Sequence, residues 1–175
     1  MSKSVLISIK PKWCELIAIG KKTVEIRKTR PKIKPPFTCY IYETKGKTDT
    51  PWMDEDGHMI FRGRGQVIGE FVCDGIRELR GYIPDLVYAK YNACITSEEY
   101  KKYTGAGSPV YGWHISNLSI YDEPQEIGAF RNICERTYCF ETCRYLLSGR
   151  CQNGIHSDDR YITRPPQSWM YVEEE

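Results

Sequence analysis

Apolar and polar positions along this chain mark out most of its elements. The stretch "SVLISIKP" (4–11) is rich in β-branched residues and predicts a first strand. Pro11 suits the first turn of a helix, where its missing N–H goes unneeded. Trp13, Leu16 and Ile17 follow at the i, i+3, i+4 spacing of one helical face. Gly20 predicts the end of that helix, in the left-handed conformation. "TVEIRK" (23–28) then alternates, with Val24 and Ile26 on one face and Thr23, Glu25 and Arg27 on the other.

Beyond the proline-rich connection "RPKIKPP" (30–36), "FTCYIYET" (37–44) predicts another strand. Residues 45–59 form a polar excursion with an Asp56-Gly57 turn signal. "GQVIGEFVCDGI" (65–76) is apolar on both faces and predicts a central, buried strand. Residues 81–95 fit no single period. Thr96 and Glu99 make a capping-box pattern that starts a short helix over "SEEYKKY" (97–103). After the loop "GAGSP" (105–109), "VYGWHISNLSIY" (110–121) reads as one strand, and "SWMYVEE" (168–174) as the last. Many strands among two or three short helices do not suit a doubly wound sheet. They predict an α+β fold: a small mixed β-barrel with a few packed helices and a Cys-rich appendage. The expected division is 1–129 for the barrel, 130–163 for a Cys-rich insertion, and 164–175 for a final strand returning to the barrel.

Composition adds little to this picture, but charge distribution adds something. The 175 residues suit one domain, and 41% hydrophobic content can fill its core. Residues 10–34 hold nine Lys or Arg against Glu15 and Glu25, so this segment carries +7 within a chain of net +2. Such asymmetry points to an anionic partner, of which nucleic acid is the usual one, or to a lysine-rich solvated surface. The opening "MSKSVLISIK" has too short an apolar run for a signal peptide. No stretch approaches the roughly 20 apolar residues of a membrane span. A soluble, cytoplasmic protein without membrane partners is expected, its eight cysteines reduced or metal-bound.

The helix–strand junction carries Gly20-x-Lys22-x-x-Glu25-x-Arg27. On an extended strand, Glu25 and Arg27 stand roughly 6.5–7 Å apart on one face. They can brace each other, face a ligand, or form an ordinary solvated strand face. Arg27 offers a planar fork suited to phosphate or a base edge. Lys22 offers a point charge, or a base if burial lowers its pKa. Glu25 can accept from an exocyclic amine or hold both cations. Lys21 adds charge beside them. Of the aromatic residues, Trp13 and Trp113 read as core, whereas Trp52, in the polar excursion, is the candidate for stacking on a base. His114 reads as a structural histidine.

This pattern resembles the GxKxxExR signature of ASCH domains, in the PUA-like superfamily. "ISIKPKWCELIAIGKK", "VIGEFVCD" (67–74), "YGWHISNL" (111–118) and the ending "TRPPQSWMYVEE" support the resemblance. The ending and the cysteine segment are similar to ASCH proteins of phage and other bacterial mobile elements. The resemblance implies a barrel with a motif-lined cleft and an association with RNA binding. Some members are similar to small RNases or to an amidohydrolase acting on N4-acetylcytidine. Those amidohydrolase relatives carry Thr at the position of Glu25, and an acidic residue where this chain has Asn92 and Ala93. Their triad is therefore not reproduced unless Glu70 faces the cleft. Three functions are expected on these grounds. The first is binding of RNA, a nucleotide or a modified nucleobase through Lys21, Lys22, Glu25, Arg27 and Trp52. The second is a hydrolase (ribonuclease or amidohydrolase) using Lys22 and Glu25. The third is a protein-interaction adaptor.

Cys134, Cys139, Cys143, Cys151 and His156 fall within 23 residues, as C-x4-C-x3-C-x7-C-x4-H. The segment has too few apolar residues for a core of its own, so a structural zinc held by the four cysteines, with His156 as the alternate ligand, is expected. Free thiols packed on the barrel, an iron–sulfur cluster and a disulfide are the alternatives, since paired CxxC knuckles are absent. Cys14, Cys39, Cys73 and Cys94 read as ordinary buried cysteines.

Overall fold

The computed structural model describes residues 3–46, 63–105, 108–133 and 161–173, together with the backbone alone at 52–53, 59–60, 151–152 and 155–156. Its first elements are β1 (Lys3–Ile9), α1 (Pro11–Ala18), β2 (Val24–Arg27) and β3 (Phe37–Glu43). The short strands β4 (Trp52–Met53) and β5 (Met59–Ile60) pair with each other. Then come β6 (Val67–Cys73), β7 (Ile76–Leu79), α2 (Ile83–Asn92) and α3 (Ser97–Thr104). The chain continues through β8 (Val110–His114), β9 (Ser116–Gln125), the pair β10 (Cys151–Gln152) and β11 (Ile155–His156), and β12 (Trp169–Glu173).

Two sheets organise the fold. The larger has the order β12-β1-β3-β6-β9, with β1 and β3 parallel and the other neighbours antiparallel. The smaller, β2-β8-β7, is antiparallel throughout. Among the described residues no ladder joins the two sheets, so the closed barrel expected from sequence is not seen: the α+β, PUA-like fold is two sheets packed on each other with the helices α1, α2 and α3.

Three apolar clusters follow from this layering. Val5, Ile7 and Ile9 of β1 face the first, between the sheets, with Cys39, Ile41, Phe71, Trp113 and Ile17 of α1. Leu6 points the opposite way, into a cluster with Tyr40, Val67, Phe130 and Val172 on the far face of the large sheet. Val24, Ile26, Leu79 and Val110 cover the outer face of the small sheet, beneath Ala89 of α2 and Tyr100 of α3. Strand β1 is buried on both faces, which explains why Val5, Leu6 and Ile7 run apolar without alternating.

Two strands read from sequence are each divided. "GQVIGEFVCDGI" breaks at Asp74-Gly75, so that β6 stays in the large sheet and β7 joins the small one. "VYGWHISNLSIY" breaks at Ile115, whose N–H bonds the carbonyl of Thr23 as the chain passes from the small sheet to the large. Apolar pattern sees burial, and it is blind to which sheet buries a strand. Residues 81–95, which showed no period, contain α2. Pro84 stands in its first turn and Asp85 near its start, both favourable there. The capping box at Thr96 is present in both directions: Thr96 Oγ1 accepts from the Glu99 N–H at 3.1 Å, and Glu99 accepts from the Thr96 N–H at 2.9 Å. No helix among the described residues is long and apolar enough to cross a membrane.

Candidate functional site

The path into the site begins at Gly20. Its φ of +74° lets the chain reverse at the end of α1, and a side chain there would meet no neighbouring atom within 4 Å. The glycine is needed for backbone conformation and not for space. The reversal brings the Lys22 N–H to the Leu16 carbonyl, at 2.9 Å. Lys22 is thereby directed back under α1, with its ammonium 5.0 Å from the centre of the Trp13 ring.

Strand β2 continues the reversal. Glu25 stands opposite Trp113 and Arg27 opposite Tyr111, so both charged side chains lie on the face that looks toward the inter-sheet core. They are not solvated. Lys22 and Glu25 are each 4% exposed, and the Arg27 side chain is 12% exposed. Lys22 Nζ lies 3.2 Å from Glu25 Oε2, and Arg27 Nη1 lies 3.1 Å from Glu25 Oε1. Lys22 also donates to the Ala93 carbonyl at 2.8 Å, and Arg27 Nη2 donates to the Ser8 carbonyl. The Lys22–Glu25 approach is close enough for an ion pair but lacks hydrogen-bond alignment. Glu25 Oε2 therefore has no hydrogen-bond donor among the described residues, and Arg27 Nε likewise has no acceptor.

These three residues form part of the lining of a cleft of about 1350 Å³. That exceeds the usual 300–1,000 Å³ of a small-molecule pocket and leaves room for a nucleotide or a short strand. Its walls come from distant parts of the chain: Ser8 and Lys10, Glu25 to Arg27 of β2, Ala93 and Ile95 between α2 and α3, Tyr103 of α3, and Thr163 with Pro165 to Ser168 before β12. The last segment is tied down where Ser8 Oγ donates to the Pro166 carbonyl at 2.7 Å and the Ser8 N–H donates to that of Ser168. Lys10, Lys28, Lys45 and Lys102 are exposed at the margin. With Lys22 and Arg27 they make six cations against Glu25, Glu99 and Glu126. Burial pushes the nearby Cys14 thiol well above its ordinary range, with the charges of Glu43 and Glu25 adding to the effect, so it stays protonated.

Other residues singled out from sequence lie elsewhere. Lys21 is exposed and does not line the cleft; its carbonyl accepts from the Cys94 thiol at 3.3 Å. Cys94 is half-buried, with a φ of +54°, and is not the ordinary buried cysteine the sequence suggested. Trp113 is fully buried, edge-on to Phe37. Glu70 accepts from the Tyr121 hydroxyl at 2.9 Å and takes no part in the cleft lining. His114 Nδ1 lies 2.6 Å from Asp74 Oδ1 at an exposed position off the cleft. The side chain of Trp52, the residues Cys134, Cys139 and Cys143, and the side chains of Cys151 and His156 fall outside the described residues.

Sequence reading missed Trp13, Tyr103, Ser8 and the 163–168 wall. Trp13 sits on the apolar helix face and packs partly against the core, which is the signal that was read. Its other edge meets Lys12 and Lys22, at 4.9 and 5.0 Å from the ring centre. Two lysines flanking one tryptophan is a signal that could have been sought.

Fold and cleft together define a PUA-like α+β protein with a charged motif at the floor of its cleft. The sequence pattern of the ASCH domain matches residues 7–121, and the chain belongs to the ASCH domain family. Its fold is similar to that of the ASCH protein of Zymomonas mobilis, with a TM-score of 0.60 and 16% identity over 98% of this chain and 88% of that one. A serine-to-alanine variant of the Zymomonas protein gives a TM-score of 0.58 at 16% identity, covering 98% and 89%. A tyrosine-to-phenylalanine variant gives 0.59 at 16%, covering 99% and 92%. A comparison with curated proteins found no match.

Proposed function

We propose that the cleft binds a phosphate-bearing nucleotide ligand, as a free nucleotide or within RNA. One observation carries this reading. Lys22 and Arg27 are buried with a single carboxylate between them, and among the described residues no second carboxylate pairs with either. The floor of the cleft therefore holds one positive charge more than it neutralises, in a place where an unpaired charge is costly. An anion in the cleft would complete the set, and the marginal lysines would draw it in. The Arg27 fork suits phosphate oxygens. RNA binding is the activity generally associated with the ASCH family, and it agrees with this chemistry.

Hydrolysis has less support. Lys22 is occupied by the Ala93 carbonyl, Glu25 and the Trp13 ring together, which suits a fixed charge better than a proton shuttle. Glu70 is engaged by Tyr121 and lies off the cleft, so it does not stand in for the missing acidic residue.

The test is a titration of nucleoside monophosphates and a short RNA against the native chain and Arg27→Gln. Loss of one charge-assisted contact is expected to weaken binding about 10- to 100-fold. Native affinity should also fall as salt rises. Equal affinity of native and Arg27→Gln chains, or no binding by either, would overturn the reading.

A further inference from the structure

The segment between β2 and β3 carries charge that the cleft does not use. Lys28, Arg30, Lys32 and Lys34 alternate along it, and no Asp or Glu stands between Glu25 and Glu43. All four are exposed, and among the described residues none of them forms an ion pair. Like charges this close repel one another, so a bare loop of them gains nothing by being held in place. This segment is nevertheless fastened to the fold. Pro31 is buried and Ile33 packs on the inter-sheet core, while Arg30, Lys32 and Lys34 alternate with them and are exposed. Two side chains of β12 pin it from outside. Trp169 Nε1 donates to Thr29 Oγ1 at 3.0 Å, and the Lys32 N–H donates to the Tyr171 hydroxyl at 2.6 Å. Aromatic faces then steer two of the cations. Lys28 Nζ stands 5.2 Å from the Tyr103 ring centre, and the Arg30 guanidinium stands 5.5 Å from that of Tyr111. A ring face orients a cation without neutralising it, so the charge stays available to a ligand.

This ridge starts in the cleft. Lys28, Thr29 and Tyr103 all line it, as does Ser168, the neighbour of Trp169. We propose that residues 28–34 form a phosphate-binding ridge, along which single-stranded RNA runs as it leaves the cleft. Arg30, Lys32 and Lys34 do not line the cleft, so a mononucleotide seated there leaves them unused and only a longer strand engages them. The strand is unpaired because a nucleotide can enter the cleft only when it is free of a duplex. Cations held in place with no carboxylate beside them match a row of phosphates, and contacts of this kind position a strand without reading its sequence.

The ridge rests on the cleft reading above, and the experiment separates the two. Fluorescence anisotropy compares a labelled nucleoside monophosphate with an eight-residue single-stranded RNA, on the native chain and on Arg30→Gln/Lys32→Gln/Lys34→Gln. The salt is about 0.15 M, where exposed charges more than about 8 Å apart are largely screened. The native chain should bind the RNA more tightly than the mononucleotide. The triple variant should bind the RNA about 10- to 50-fold more weakly, with a salt slope lower by about 2, and should leave the mononucleotide unmoved. Arg27→Gln, inside the cleft, should weaken both ligands. All three substituted side chains are exposed, and circular dichroism checks the fold. Should the triple variant lose it, Lys32→Gln/Lys34→Gln keeps Arg30 on the Tyr111 ring and should lower the slope by about 1.4. A native slope and RNA affinity in the folded variants overturn the ridge. So does an equal loss for both ligands, or a mononucleotide that binds while length brings no gain. An anionic membrane is the rival occupant: phosphatidylserine vesicles that bind the native chain and release the variant, with RNA affinity unmoved, also overturn the ridge. If neither the mononucleotide nor the RNA binds the native chain, the cleft reading falls and the ridge falls with it.

Discussion

Strands β2 and β7 are the two edges of one small sheet, and both pair with β8. Each has four residues, two apolar and two charged: Val-Glu-Ile-Arg in β2 and Ile-Arg-Glu-Leu in β7. Their fates differ. Glu25 and Arg27 are almost wholly buried, whereas the Arg77 and Glu78 side chains are 51% and 39% exposed. What differs is the cover. The charged face of β2 lies beneath α1 and next to the 163–168 wall, both of which also line the cleft through Trp13 and Pro166. The charges of β7 remain at the surface and pair with near neighbours in sequence, Asp85 and Arg80. A charged strand edge becomes a site when other elements roof it, because only then does each charge need a fixed partner or a ligand.

The sharpest way to break this comparison is to remove one carboxylate from each strand. Glu25→Ala leaves Lys22 and Arg27 buried without a counter-charge and should lower stability by about 3–5 kcal/mol. Glu78→Ala, at an exposed pair, should stay within about 0.5 kcal/mol of native. Urea unfolding of both variants decides, and equal losses would end the distinction.

The next effect concerns how β2 is turned inward. Gly20→Ala forces a side chain into a left-handed conformation and should lose about 1–2 kcal/mol. Since the new methyl group would meet nothing, Gly20→Asn should recover much of that loss in thermal unfolding. Thr96→Ala removes one half of the capping box of α3, the helix that carries Tyr103 to the cleft, and should lose about 1 kcal/mol.

The smallest effect belongs to the exposed pair at the β6–β7 corner. The Asp74 carboxyl is held below its ordinary value chiefly by its hydrogen bond to His114. A depressed carboxylate adds stability above its unfolded pKa and loses it as pH falls through the folded one. His114→Ala should therefore lower stability slightly at neutral pH, flatten the fall on the acid side, and leave the stability below the folded pKa nearly unchanged. Urea midpoints measured from neutral pH into acid give the sign, and a loss that grows as pH falls would contradict it.

Much of the fold was legible residue by residue. Pro11, the Trp13-Leu16-Ile17 face and Gly20 set the bounds of α1, and Thr96 with Glu99 set the start of α3. These signals are local: a fixed φ, a periodic face, a side chain reaching three residues along. The run at 65–76, apolar on both faces, announced the burial of β6, whereas β1 was legible as a strand from its β-branched residues and its double burial was not. The split at Ile115 was not legible, because both halves are strand and only the sheet differs. Helix α2 was hidden for another reason: its exposed stripe of Ile83, Val87 and Tyr91 adds apolar residues on the face where polar ones were expected, and blurs the period.

The sequence by itself determined the motif, its spacing and the reversal at Gly20 that joins helix to strand, since each of these depends on a residue and its near neighbours. It left open whether Glu25 and Arg27 meet water or protein. Only the tertiary structure decided that, by bringing Ser8, Ala93, Tyr103 and Pro166 around one cleft from positions up to 158 residues apart. Burial of a charge is a property of everything that surrounds it, and no local pattern encodes what arrives from the far end of the chain.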